Sequence, residues 1–265
     1  MSDDRAVAPS GTPPQQAAES DDVWAPLRRL TAARIGLARS GASLATAPLL
    51  EFALAHARAR DAVREPLDER RLAADLAPLG GPVLAVASAA ADRQTYLMRP
   101  DLGRRLAPGC EAALASHRGA YDVAFVVADG LSARAVAQHA APVLSRTLPA
   151  LRAEGWRIAP LVVVRHGRVA IGDAIAAALG AAAIAVLIGE RPGLSAPDSM
   201  GAYLTFGPHA RTTDAQRNCI SNIHPAGIGY DAAALKLAHL LRAIRAAGLS
   251  GVALKDDSDR LPIGR

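Results

Sequence analysis

The rhythm of apolar and polar positions divides the chain into three stretches. Residues 1–22 are Asp, Ser, Pro, Gln and Ala with no apolar period, which reads as a disordered tail. From residue 23 to 118 the spacing is mainly helical. Val23, Leu27, Leu30, Ile35 and Leu37 form an irregular apolar stripe. Leu44 to Arg64 predicts a longer helix carrying Leu49, Leu50, Phe52, Leu54 and Val63, ended before Pro66. Gly80-Gly81-Pro82 breaks the chain. The run Pro82–Ala87 suits a short strand without requiring one, and Tyr96–Arg105 reads as a turn rather than a core element.

From about residue 119 the pattern changes. Val123–Ala128, Pro160–Val164 and Ala183–Ile188 are short continuous apolar runs. Between them lie helical stretches: Ser132–Glu154, with Ser132 as N-cap and Pro142 and Pro149 expected to kink or break it, and Ala170–Leu179, closed by Gly180. Leu204–Phe206 is a candidate fourth strand, and Tyr230–Ala247 an amphipathic helix. Continuous apolar strands alternating with helices predict buried parallel strands in βαβ units. The expected fold class is therefore α/β, a Rossmann-like open parallel sheet over residues 119–265 preceded by a mainly helical N-terminal region over 23–118. In such sheets ligands collect at the carboxyl ends of the strands. Three polar clusters fall there: Asp129–Arg134, Arg165–Asp173 and Gly189–Ser195; a fourth, Arg217–Ile223, precedes the last helix.

Composition narrows the function. With 265 residues and 51% hydrophobic content the chain can bury a sizeable core. Two cysteines, Cys110 and Cys219, exclude a disulfide scaffold or a Cys-pair zinc site and fit a reducing cytoplasm. The longest apolar stretch, Ala181–Gly189, is far short of a membrane span, and the opening Ser2-Asp3-Asp4-Arg5 lacks the apolar core of a secretory signal. The net charge of +5 arises between residues 28 and 105, where thirteen arginines face eight acids. Arginine suits protein interfaces and phosphates as well as nucleic acid, and 3% aromatic residues offer few stacking platforms, so no nucleic-acid partner is expected.

The common catalytic motifs are missing: no Walker A, HExxH or GxSxG pattern occurs. Gly227-Ile228-Gly229-Tyr230-Asp231-Ala232 matches G-x-G-x-x-A formally but does not follow a strand run, so it reads as a loop closing onto a helix start. The seven histidines show no metal-ligand spacing. Cys219 has no visible base partner and suits packing or close approach to a ligand; Glu190 suits a simple ion pair with Arg191 or a turn, with a ligand-facing carboxylate as the competing reading. The residues thus describe a polar rim without a catalytic set or a metal site, which favours a subunit that helps hold a ligand.

Those rim segments carry a family resemblance. Ala128–Ala135 resembles the ADGLSARAV segment of the small (light) subunit of ethanolamine ammonia-lyase, Ile188–Ser195 its IGERPGLS segment and Arg217–Ile223 its RNCISNI segment. Arg34–Leu37, Arg39–Gly41 and Tyr96–Arg104 are similar to its upstream motifs, so the resemblance spans about residues 23–254. It implies a lyase that uses adenosylcobalamin (coenzyme B12) to convert ethanolamine to acetaldehyde and ammonia. It further implies a large partner subunit, a TIM barrel with the substrate site, and a Rossmann-like small subunit that contacts the cobalamin at the interface through its 119–265 region. Carried over residue by residue, the family's cobalamin positions are Val169, Glu190 and Cys219, all in intact motifs. The D-x-H-x-x-G pattern of base-off cobalamin domains is missing, so no histidine here is expected to coordinate cobalt. The helical 23–118 region is then the partner-contacting part of a hetero-oligomer. The setting implied is cytoplasmic, within a bacterial microcompartment in some members. The competing expectation is a non-catalytic assembly or solubilising subunit with little direct cofactor role.

Overall fold

The computed structural model describes residues 22–258. The expected tail therefore falls outside the described residues except for Asp22. The chain divides into two compact units, residues 1–50 and 51–265. In the first, the described chain forms a single helical turn, α1 (Ala25–Arg28), and a small antiparallel hairpin, β1 (Arg39–Ser40) with β2 (Ser43–Leu44). Trp24 packs on Gly36, whose φ of +56° and missing side chain make room for the indole ring. Helix α2 (Thr46–Arg64) begins in this unit and runs into the second.

In the second unit, α3 (Glu69–Leu76) is N-capped by Asp68, which accepts the Arg71 amide at 3.0 Å. There follow β3 (Val83–Ala87), α4 (Arg93–Met98), α5 (Cys110–Ala115), β4 (Tyr121–Ala128), α6 (Ala133–Ala153), β5 (Leu161–Arg165), α7 (Ile171–Leu179), β6 (Ala181–Gly189), β7 (Met200–Phe206), β8 (Arg217–Ile223) and α8 (Tyr230–Ala247). Strands β3 to β8 form one six-stranded sheet in the order β3-β5-β4-β6-β7-β8. The first four are mutually parallel; β7 runs antiparallel to β6, and β8 antiparallel to β7. The expected α/β fold is present, as a mixed and mostly parallel sheet. The ambiguous run at Pro82–Ala87 supplies its edge strand β3.

Alternate residues of each strand feed two cores. On one face Phe125, Val127, Val163, Leu187, Leu204 and Ile220 pack against α3, α6 and α8. On the other, Ala124, Val126, Val164, Val186 and Ile188 pack against α5 and α7. The buried residues of the second core come from β3, β4, β5 and β6 among the sheet strands, while Tyr203 of β7 packs against it half-buried. The helical layer on that side stops short of the last two strands.

Two sequence expectations are corrected. Of the kink or break expected at Pro142 and Pro149, the break does not occur, because α6 continues through both. An interior proline costs about 3 kcal/mol. Here Val143, Leu144, Leu148 and Leu151 are all fully buried around them, and the Pro142 carbonyl accepts from Ser145 Oγ at 3.0 Å and Arg146 Nη1 at 2.7 Å. Packing of that face outweighs the penalty. The Tyr96–Arg105 segment is not merely a turn: Tyr96 sits on α4 and is fully buried.

Candidate functional site

The first three polar clusters meet at the carboxyl ends of the parallel strands. Ser132 is the N-cap of α6, accepting the Ala135 amide at 3.3 Å and donating to the Pro197 carbonyl at 3.1 Å. The Leu131 amide donates to the Gly189 carbonyl at 2.9 Å, and the Gly167 amide to Asp129 Oδ1 at 3.1 Å. The ends of β4 and β6 approach so closely that a Cβ at Gly130 would stand 2.3 Å from the Gly189 carbonyl oxygen. Gly130 also has φ +54°, so glycine is required there on both counts.

A pinned cluster beneath the rim escaped the sequence reading. Asp129 is buried, and burial pushes its carboxyl above the usual range against the pull of backbone donors and Arg93. Arg93 donates to the Gly130 carbonyl at 2.7 Å and to the Val63 carbonyl at 2.7 Å. The buried Tyr96 ring lies between Arg93 and Arg168, whose guanidinium carbons are 4.9 and 4.4 Å from its centroid. Burial pushes the Tyr96 phenol up to about 12, and its hydroxyl donates to the Gly167 carbonyl at 3.2 Å. These groups are tied to backbone and to each other, so they hold the loops rather than face a ligand.

The fourth cluster is not a loop. Arg217–Ile223 is the edge strand β8, antiparallel to β7, and only its carboxyl end reaches the rim. One side of β8 lies toward α8 and the loop that follows it: Ile220 and Ile223 are buried, and Asn218 Nδ2 donates to the Gly251 and Leu254 carbonyls. The other side carries Arg217, Cys219 and Ser221. Arg217 is buried and clamps Asp173 of α7 through two bonds of 2.8 and 2.7 Å, with a third to Thr205 Oγ1 at 3.0 Å. This ties the start of β8 to the last helix on that face. Beyond it Cys219 and Ser221 are exposed, with Sγ and Oγ 3.2 Å apart.

Glu190 and Cys219 belong to one patch. Glu190 is half-buried at the end of β6; its carboxylate accepts from the Ser199 hydroxyl and from the Asn222 amide at 3.2 Å. That amide is aimed by an unusual backbone, since Asn222 has φ +64°, a conformation asparagine accepts more readily than most residues. The expected Glu190–Arg191 ion pair is not formed; the carboxylate's partners are Ser199 and Asn222. Between Glu190 and Cys219 stands Tyr203, half-buried and directly opposite Cys219 in the β7–β8 register. Burial, then Cys219 and Glu190, push its phenol well above the ordinary range, so it stays protonated. Val169 sits in the β5–α7 turn on the same side of the sheet, packed on the second core, with β4 and β6 standing between β5 and β7. The structure thus brings Glu190 and Cys219 together around Tyr203 and leaves Val169 apart from them on that side of the sheet.

A cavity of about 770 Å³ adjoins this patch at Arg217, lined also by Arg104, Arg105, Glu111, Asp173 and Asp214. Its three arginines face three acids, which leaves no charge excess to select an anion. Among the described residues there is no group of His, Cys, Asp and Glu suited to a metal ion, and no helix long and apolar enough to cross a membrane.

The sequence matches the family model for the ethanolamine ammonia-lyase light chain over residues 21–255. It is 53% identical over 244 residues to the ethanolamine ammonia-lyase small subunit of Azotobacter vinelandii, covering 91% of this chain and 90% of that one. It is 49% identical over 263 residues to the same subunit of Ralstonia nicotianae, covering 98% and 95%. With that of Rhodopseudomonas palustris it shares 54% identity over 233 residues, covering 88% and 89%.

Proposed function

The chain belongs to the ethanolamine ammonia-lyase light-chain family, and we propose that it serves this lyase as the subunit whose uncovered sheet face helps hold adenosylcobalamin against the large subunit. The observation that carries this reading is the face itself. The buried residues of the second core end at β6, and beyond it Tyr203, Cys219 and Ser221, with the pinned Glu190, form a polar-apolar surface whose side chains are half-buried or exposed among the described residues. When bound, the cofactor supplies the radical chemistry that ethanolamine deamination requires.

The residues fit such a ligand. A corrin presents methyl-rich edges fringed with amides. Glu190, already fixed by Ser199 and the Asn222 amide, offers a preorganised acceptor to an amide N–H. Val169 offers an aliphatic contact, and Cys219 a small polarizable one beside the Ser221 hydroxyl. Gly201 leaves the space the carboxylate occupies: a Cβ there would be 3.0 Å from Glu190 Oε1. Catalytic acids and bases are supplied by the partner; this chain orients the cofactor and excludes water from one side of it.

Docking on the large subunit is supported by α2. Only Ala59 and Ala62 of its nineteen residues are buried, while Leu49, Leu50, Phe52 and Leu54 are exposed. Apolar side chains pointing in several directions from one helix are what a helix enclosed by a partner shows.

The test is the assembled two-subunit enzyme titrated with adenosylcobalamin. Glu190→Ala combined with Cys219→Ser is expected to weaken the cofactor by about tenfold or more. Unchanged affinity in an intact complex contradicts the site. Full turnover by the large subunit alone, once folded, would instead support the assembly-only role.

A further inference from the structure

We propose that Tyr203 is a ligand-contacting residue of the same face, the aromatic anchor between Glu190 and Cys219. The inference rests on the reading of that face as the cobalamin surface and adds a residue that the sequence motifs do not mark. Tyrosine 203 lies in the middle of β7, where its neighbours Ala202 and Leu204 turn into the first core and are fully buried. Its own side chain turns the other way and is only half-buried, because the buried residues of the second core stop at β6 among the described residues. Large aromatic side chains are few here, 3% of the chain, and this one is placed where the sheet is only partly covered.

Its surroundings leave room for the ring beside Glu190 and across from Cys219. Gly201, two residues earlier on the same side, leaves room for both the ring and Glu190: a Cβ there would be 3.4 Å from Tyr203 Cε2 and 3.0 Å from Glu190 Oε1. Across the strand pair Tyr203 faces Cys219, whose Sγ lies 3.2 Å from Ser221 Oγ. The phenol stays protonated across the working pH range, since burial and the neighbouring Cys219 and Glu190 both oppose its ionisation. A neutral hydroxyl both donates and accepts, which suits the amide fringe of a corrin. The ring face suits its methyl and methylene edge, and a single such aromatic contributes a large apolar area at little entropic cost. No covalent step is involved.

The test uses the assembled enzyme and cyanocobalamin, an analogue that binds without turnover, with affinity read by equilibrium dialysis. Tyr203→Ala is expected to weaken binding about tenfold or more, and Tyr203→Phe by no more than about threefold, because most of the contact is the ring. Subunit assembly is read separately by size-exclusion chromatography. Should Tyr203→Ala fail to fold, Tyr203→Leu replaces it with the same expectation. Native affinity in Tyr203→Ala or Tyr203→Leu, with Glu190→Ala weakened, overturns the role of Tyr203 and leaves the site standing. Native affinity in all of these variants, in intact complexes, overturns the underlying reading of the face.

Discussion

Breaking the Asp173–Arg217 pair is expected to destabilise the fold more than any other single change at the site. The pair joins α7 to β8, with two guanidinium–carboxylate bonds of 2.8 and 2.7 Å and side chains only 9% and 2% exposed. Removing one partner strands the other charge in the interior, at a cost of about 3–5 kcal/mol. Against a total stability of about 5–15 kcal/mol that is a third or more for many domains. Replacing both, as Asp173→Leu with Arg217→Met, leaves no buried charge and should recover most of the loss. About 1 kcal/mol remains for Thr205, whose Oγ1 accepts from Arg217 at 3.0 Å. The assay is urea unfolding of the full chain followed by circular dichroism, arranged as a double-mutant cycle. A coupling above about 2 kcal/mol is expected. A cost below about 1 kcal/mol for Asp173→Leu, or additivity within about 0.5 kcal/mol, refutes the reasoning. Because Arg217 opens the strand that carries Cys219 two residues later, the single variants should also lose cofactor affinity in the assembled enzyme.

Other outcomes follow from the same contacts. Ser132→Ala removes both the α6 cap and the bond to Pro197, and should cost about 1–2 kcal/mol in thermal or urea unfolding; no measurable change would contradict the capping role. Asn222→Gly should keep Glu190 in place because glycine accepts φ +64°, whereas Asn222→Val should destabilise by about 1–2 kcal/mol and weaken cobalamin. His139 is buried with Nδ1 2.9 Å from Tyr230 Oη and Nε2 4.0 Å from Asp198 Oδ2. Burial lowers its pKa from 6.5, with Asp198 opposing and His224 assisting. The unfolded chain then binds the proton more tightly, so stability is present above pH 6.5 and declines as pH falls toward the lowered value. The slope is at most about 1.4 kcal/mol per pH unit for one proton, and His139→Phe should flatten it in stability measured from pH 7.5 to 5.5. An unchanged slope would show that another group governs acid sensitivity. Finally, Phe52→Asp with Leu54→Asp on α2 should reduce association with the large subunit, read by size-exclusion chromatography, and unaltered assembly would move the interface elsewhere.

The sequence was most legible where a local rule and the tertiary packing agree. Ser132 stands before an apolar-periodic stretch and caps α6; Gly180 follows another and ends α7 with φ +75°. The continuous runs Val123–Ala128 and Ala183–Ile188 are central strands because both faces are covered. Legibility failed where only one face is covered. In Arg217–Ile223 the two buried isoleucines, Ile220 and Ile223, stand three residues apart among polar ones because the β7–β8 register shifts there, so period-2 alternation is lost and the segment's polarity resembles a loop. The same open face hid Tyr203, since a lone tyrosine in a run of small and apolar residues carries no sign of which side it faces. Tyr96 was obscured differently: its ring meets not only Arg93 of its own helix but Arg168, which arrives from a separate segment. Of the site itself, the motifs marked Glu190 and Cys219 but could not show that Ser199, Asn222 and Tyr203 bind them into one patch.

The most direct measurement is a structure of the assembled two-subunit enzyme with cyanocobalamin bound. The account predicts the corrin edge lying on the β7–β8 side of the sheet, in contact with Val169, Glu190 and Cys219 and with the Tyr203 ring. A corrin seated elsewhere, with that face buried against protein alone, would contradict it.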